Sequence, residues 1–308
     1  MGRLNASLTA VALAAAAALA APSAIAAGGQ VKEYKDIKWH FEGPFGRYDK
    51  DALQRGFQVY REVCANCHGM DLVSFRNLGQ KGGPFYLESC PEGVAETIDC
   101  SNPNDNPIVK ALAAEYTVMD GPDEYGDMFE RAAIPADRLP NPYDNVQIAR
   151  LANGGALPPD QSLIVKARPH GADYIYSLLV GYVEPPETIE TPIGQYYNPY
   201  FPGDMSQYLN EEFVDEEGHP KKDVEVPYGG FLAMAQPLYD EMVDYADEET
   251  PETIEQYAKD VVEFLMWAAE PKLEARKKLG VITLGYLLIM TGILYWSYRE
   301  VWSNVKTK

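Results

Sequence analysis

Three stretches of this chain carry an apolar pattern strong enough to define an element. Over residues 49–63, Leu53, Phe57 and Tyr60 recur at helical spacing while Arg55, Gln58 and Glu62 point elsewhere, which predicts an amphipathic helix. Gly56 costs helix stability, and its place beside Phe57 predicts the close approach of another helix. A matching stripe runs through Ile254, Tyr257, Val261, Phe264, Leu265 and Ala268. It follows Thr250-Pro251-Glu252, a good helix start: a capping hydroxyl, proline at the first helical position and an acid in the first turn. This second helix is suited to pack across the Leu53–Tyr60 face. The third stretch, residues 280–298, has 19 residues without a charge. At ~1.5 Å per residue it reaches roughly 30 Å, the thickness of a bilayer's hydrocarbon core. Tyr295, Trp296 and Tyr298 form an aromatic belt at one end, so residues 279–298 are predicted to be a transmembrane anchor.

Weaker signals fill the remainder. Short helices are expected over 107–116, 145–151 and 172–180, and 71–106 reads as loop-rich. Between 184 and 227, prolines at 185, 186, 192, 199, 202, 220 and 227 forbid long helices and predict a loop-like excursion over the surface. No repeat and no period-two strand pattern stands out. At the N-terminus, Arg3, the alanine-rich apolar run 8–21 and the small residues up to Ala26 read as an export signal cleaved after Ala26. The organisation is then a signal (1–26), an exported domain (27–278), the anchor (279–298) and a short tail (299–308). Basic residues flank both ends of the anchor, so the cleaved signal sets the orientation, with the large domain outside.

A net charge of −20 adds that the chain repels nucleic acid and favours a cationic protein partner. Acids concentrate at Asp120, Asp123, Glu124, Asp127 and Glu130. They concentrate again at Asp240, Glu241, Asp244, Asp247, Glu248, Glu249, Glu252 and Glu255. Of the four cysteines, Cys90 and Cys100 most simply form a disulfide in an oxidising compartment.

The other two define the chemistry. Cys64-Ala65-Asn66-Cys67-His68 has the spacing of a c-type haem attachment site: two thiols a turn apart can add to the two vinyl groups of one porphyrin, with the adjacent histidine on the iron. A thiol–disulfide motif would sit at a helix head in a βαβ pattern, which is not evident, and a zinc site would need Cys90 and Cys100 as a second ligand pair, which their spacing does not offer. The second axial ligand has several candidates: His170, His219, Met119, Met128, Met205, Met234 and Met242. Met234 has the best surroundings, a proline-bounded, mostly apolar loop from Pro227 to Pro237 with small residues beside the sulfur.

These residues resemble the cytochrome c1 family, the haem-carrying subunits of quinol–cytochrome c oxidoreductase (bc1) complexes. The resemblance rests on Arg55-Gly56-Phe57-Gln58-Val59-Tyr60 before the haem motif and Asn153-Gly154-Gly155-Ala156-Leu157-Pro158-Pro159-Asp160. It continues through Asn198-Pro199-Tyr200-Phe201-Pro202-Gly203, Trp267-Ala268-Ala269-Glu270-Pro271 and the terminal anchor. It implies a mainly α, cytochrome c-like haem domain with long irregular loops and one C-terminal transmembrane helix. It also implies one covalent haem c on Cys64 and Cys67, His68 and Met234 as iron ligands, and Arg168 paired with a haem propionate. By itself Arg168 reads as a solvated surface charge. The implied function is one-electron transfer from a Rieske iron–sulfur protein to a soluble c-type cytochrome. It would take place beside cytochrome b in a homodimeric complex, on the periplasmic side of a bacterial inner membrane and in contact with its lipid. The rivals are a free-standing membrane-anchored cytochrome serving an oxidase, an exported thiol–disulfide oxidoreductase, and a haem peroxidase with an open iron site. The 184–227 excursion is longer and more acidic than in the family's shortest members.

Overall fold

The computed structural model describes residues 30–95 and 97–303. The expected export signal and the last five residues of the tail lie outside the described residues. The fold is mainly α, as expected. Helix α1 (Lys50–Glu62) starts where the Asp49 carboxylate accepts the Ala52 N–H at 2.9 Å. After it come α2 (Phe75–Leu78), α3 (Pro107–Ala114), α4 (Val146–Ala152), α5 (Gly171–Leu179), α6 (Ile254–Ala269) and α7 (Leu273–Ser303).

Helix α6 begins three residues later than its sequence signature suggests. Its cap is Thr253, whose hydroxyl accepts the Gln256 N–H, while Thr250 Oγ1 donates back to Asp247 and Glu252 takes the Tyr245 N–H. Thr250-Pro251-Glu252 therefore closes a loop instead of opening the helix.

The core is built on the crossing of α1 and α6. Leu53, Phe57, Tyr60, Tyr257, Val261, Phe264 and Leu265 are all buried, and Phe264 meets Phe57 and Tyr60 at centroid distances of 5.5 and 5.7 Å. Burying each large side chain contributes about 2 kcal/mol. Gly56 lies at the contact point: a Cβ there would fall 2.1 Å from the Asp260 carbonyl oxygen and 2.8 Å from Phe264 Cβ. Beside it the Arg55 guanidinium grips the buried Asp260 carboxylate at 2.8 and 3.0 Å, and Tyr245 and Gln256 donate to the same group. The buried charge is thus paired and fully hydrogen-bonded. Helix α5 packs on α6, and the N-terminal lead-in straps across α5 through Lys35 N–H to Ser177 Oγ and Trp39 Nε1–H to Asp173.

Two small antiparallel pairs depart from the strand-free reading. Strands β1 (Thr117–Asp120) and β2 (Phe129–Ala132) make a hairpin with Thr117 opposite Ala132. Strands β3 (Tyr196–Asn198) and β4 (Gly230–Leu232) join distant segments with Tyr196 opposite Leu232. Elements of three or four residues are too short to show alternation. The 184–227 excursion also gathers an apolar cluster, Ile189, Tyr197, Met205 and Leu209, against Phe231 of β4. Its prolines exclude long helices, as expected, but its aromatic and aliphatic residues still find one another.

Cys90 and Cys100 are disulfide-bonded at a sequence separation of 10. Closing so short a loop stabilises by about 3 kcal/mol in the chain-entropy model.

Helix α7 is 31 residues long and exceeds the predicted 279–298 at both ends, because Arg276-Lys277-Lys278 lie within its first turns. It is long and apolar enough to cross a membrane; Leu273 at its start is buried in the core, while the apolar stretch of the helix is unburied in the isolated chain. Its start is tied to the domain. Glu270 pairs with Lys166 at 2.7 Å and with Arg276, and Tyr48 donates its hydroxyl to the Met266 and Glu270 carbonyls. Lys277 donates to the carbonyls of Phe41 and Gly46.

Candidate metal centre

The chain leaves α1 in a single 3-10 turn, Cys64–Asn66, in which the N–H groups of Cys67 and His68 both donate to the Cys64 carbonyl at 3.1 and 2.9 Å. This turn sets two free thiols side by side, that of Cys64 half-buried and that of Cys67 exposed. Burial, with Cys67 as neighbour, pushes the Cys64 thiol up to about 12. A redox dithiol needs the opposite, a nucleophile whose pKa is lowered toward neutrality.

His68 is buried, and its Nδ1 lies 2.8 Å from the carbonyl oxygen of Pro159. A carbonyl only accepts, so Nδ1 carries the proton and Nε2 keeps its lone pair for a metal. Burial also holds the imidazole below its ordinary pKa and favours the neutral form that ligates. The segment that supplies this carbonyl is laced to the chain after His68. Gln161 N–H donates to the Gly69 carbonyl at 2.9 Å, Asp71 N–H to Asp160 at 2.7 Å and Leu72 N–H to Ser162 Oγ at 3.0 Å. Tyr60 donates its hydroxyl to the His68 carbonyl at 3.3 Å.

Met234 follows β4 by two residues and is half-buried against the same core that Cys64 and Ala65 touch. Its carbonyl accepts the Tyr182 hydroxyl at 2.9 Å, which ties the loop to the end of α5. The other sulfur candidates are placed less well. Met205 is 1% exposed, sealed in the second apolar cluster, while Met119, Met128 and Met242 stand in solvent. His170 is exposed with its ring 4.9 Å from that of Tyr34, and His219 is exposed beside Asp215.

Arg168 is half-buried and, among the described residues, has no carboxylate within 4.0 Å. Its guanidinium lies by Tyr174, whose phenol burial pushes up and the arginine pulls back. A cation held without a protein counter-ion is suited to an anionic group of a ligand.

Sequence reading assigned no role to Pro159, Tyr182 or Tyr174. Pro159 acts through a backbone oxygen, which carries no residue signature, and the two tyrosines look like ordinary core positions of a helix and its exit.

The acidic clusters differ in how much charge they leave free. On the β1–β2 hairpin Asp120 is paired with Arg131, which also holds Asp137, and Asp123 accepts the Tyr125 and Asp127 N–H groups. In the 240–255 cluster, Asp240, Asp247 and Glu252 cap local backbone. Glu241, Asp244, Glu248, Glu249 and Glu255 remain exposed there.

Comparison with known proteins fits this site. The Cytochrome C1 family model matches residues 39–305. The chain is 41% identical over 286 residues to "Cytochrome b/c1" of Bradyrhizobium diazoefficiens, covering 87% of this chain and 35% of that one. The chain thus spans about a third of that relative's length. It is 41% identical over 261 residues to "Cytochrome c1, heme protein, mitochondrial" of Schizosaccharomyces pombe, covering 85% and 69% of the two chains. It is 40% identical over 284 residues to "Cytochrome c1" of Rhodospirillum rubrum, covering 87% of each. On the family match and these relatives, the chain belongs to the cytochrome c1 family.

Proposed function

We propose that this chain is a membrane-anchored monohaem cytochrome, the haem c-carrying subunit of a quinol–cytochrome c reductase. It takes one electron from a Rieske iron–sulfur protein and passes it to a soluble c-type cytochrome. The observation that carries this reading is the pairing of two free thiols on one turn with an adjacent buried imidazole whose Nδ1 is already engaged by Pro159.

The donor set fits haem c: two thiols for thioether bonds, one neutral imidazole and one half-buried thioether. Bound haem supplies a one-electron iron couple, whose potential histidine–methionine ligation raises. The chain's own residues hold and insulate. Cys64 and Cys67 fix the macrocycle covalently, His68 offers Nε2, and Met234 offers its sulfur. Arg168 neutralises a propionate, and Tyr182 keeps the Met234 loop in place. No general acid or base is required.

The remaining assignments follow the same reading. Residues 1–26 direct export and are removed, 27–278 form the periplasmic domain, 279–298 span the inner membrane of a bacterium, and 299–308 face the cytoplasm. Cytochrome b and the Rieske protein are the membrane partners in a homodimeric, lipid-embedded complex. The relative named for both cytochromes b and c1 supports that association.

The denatured mature chain is expected to carry the added mass of one haem and to give the pyridine haemochrome spectrum of haem c, with cytochrome b and an iron–sulfur protein copurifying in mild detergent. A bare polypeptide mass would overturn the reading in favour of the thiol–disulfide rival. Haem without copurification would point to the free-standing cytochrome.

The exposed acids of the 240–255 cluster begin six residues after Met234, and we assign docking of a basic cytochrome to them rather than to the partly neutralised β1–β2 hairpin. The transfer rate to such a cytochrome is expected to fall by at least tenfold as salt rises from low to a few tenths molar, since steering of this kind raises association about 10–10³-fold. A rate indifferent to ionic strength would exclude electrostatic docking.

A further inference from the structure

Phe45 is out of keeping with its surroundings. It is 79% exposed at the tip of Gly43-Pro44-Phe45-Gly46, although its neighbours Trp39 and Phe41 are buried and stacked on each other at 5.5 Å. The tip is not loose. Arg47 N–H closes the turn on the His40 carbonyl at 2.9 Å, and Lys277 Nζ bonds the carbonyls of Phe41 and Gly46 on either side of Phe45. Lys277 lies three residues before Gly280, where the charge-free run begins, which is ~5 Å along a helix axis. An exposed aromatic ring is therefore clamped at the level where α7 would enter the bilayer.

We propose that this turn is a second membrane contact, with the Phe45 ring seated in the headgroup region of the outer leaflet beside the anchor. The inference rests on reading α7 as a membrane span. Aromatic side chains at the boundary between hydrocarbon and water are favoured there. The surrounding charge agrees with lipid phosphate. Arg47, Lys272 and Lys278 are exposed, and among the described residues none has a carboxylate within 4.0 Å. Glu270, Glu274 and Glu42 are the nearby opposing charges; Glu270 is already paired with Lys166 and Arg276, and Glu274 accepts the Tyr48 N–H. The acids that make the chain negative overall lie mainly elsewhere, on the hairpin, in the excursion and in the 240–255 cluster. The turn would resist tilting of the domain about the anchor by giving it two footings instead of one.

The test places a nitroxide on Phe45→Cys in the full haem-loaded chain, within its complex, in lipid nanodiscs. With Cys64 and Cys67 in thioether bonds and Cys90 joined to Cys100, the new thiol is the one this chain offers to the label. The complex without the substitution, labelled in parallel, gives the background from partner subunits. Tyr125→Cys, in the water-exposed hairpin loop, and Ile289→Cys, in mid-span, bracket the scale of oxygen against water-soluble nickel collisions. The ratio at position 45 is expected to stand several-fold above that at 125 and below that at 289. A ratio equal to that at 125 puts the turn in water and overturns the proposal. A label shielded from both reagents also overturns it, because the turn is then buried against a partner subunit. If position 289 is itself open to nickel, the span reading fails and takes this inference with it.

Discussion

Replacement of Met234 by leucine is expected to leave the haem attached and to lower its midpoint potential by a few hundred millivolts, on the order of a third of the ~0.8 V that axial ligands span. Leucine conserves volume and apolar character, so the loop between β4 and α6 should keep its packing at a cost under ~1.5 kcal/mol. Cys64, Cys67 and His68 are untouched, so the covalent mass and the haemochrome spectrum stay as they were. What goes, on the proposed ligation by Met234, is the sulfur that stabilises the reduced iron. Redox titration and the reduced-minus-oxidised spectrum measure the loss directly, and electron uptake from a high-potential donor should slow with it, because the transfer then runs uphill. Unchanged bands and an unchanged midpoint would exclude Met234 as ligand. His170→Ala and His219→Ala would then be the next variants, although both histidines are exposed and His170 packs against Tyr34.

The second large effect is structural. Substituting alanine for Gly56 is expected to destabilise the domain by at least about 3 kcal/mol. A helical Gly→Ala change ordinarily gains up to ~1 kcal/mol of propensity. Here that gain is outweighed, because the new methyl would sit 2.1 Å from a backbone oxygen of Asp260, which cannot rotate aside. The helices α1 and α6 would have to separate, thinning the Phe57–Phe264 contact and lengthening the Arg55–Asp260 pair. A drop of about 10 °C in Tm follows for a domain of this size. Gly285→Ala is the control, since a Cβ there meets nothing within 4 Å. Equal stability of the two variants would show that the crossing does not depend on the missing side chain.

Legibility in the sequence followed the range of the interactions. The crossing of α1 and α6 could be read because each helix displays its own stripe and Gly56 marks the contact. The attachment turn could be read because it is five consecutive residues. The proposed pairing of His68 with Met234 on one iron is of another kind: 166 positions separate them, and nothing local ties one to the other. Local chemistry only ranked Met234 above its rivals, and the family resemblance singled it out. The His68–Pro159 bond was invisible because its acceptor is a main-chain oxygen. The start of α6 was misplaced because Thr250 and Thr253 offer the same hydroxyl, and only the Tyr245–Glu252 and Thr250–Asp247 bonds decide between them. The four strands escaped because two of them pair segments more than thirty residues apart over three positions.

The elbow between α6 and α7 has a mechanical corollary. Only three residues, Glu270 to Lys272, separate the two helices, and Lys166, Arg276, Tyr48 and Lys277 pin the bend from several sides. The chain offers no slack here, so the domain cannot swing on its stem as a tethered carrier would. On the proposed reading of α7 as a span, Cys64 and His68 are held at one altitude above the bilayer, and shuttling would be left to whatever delivers the electron and whatever collects it.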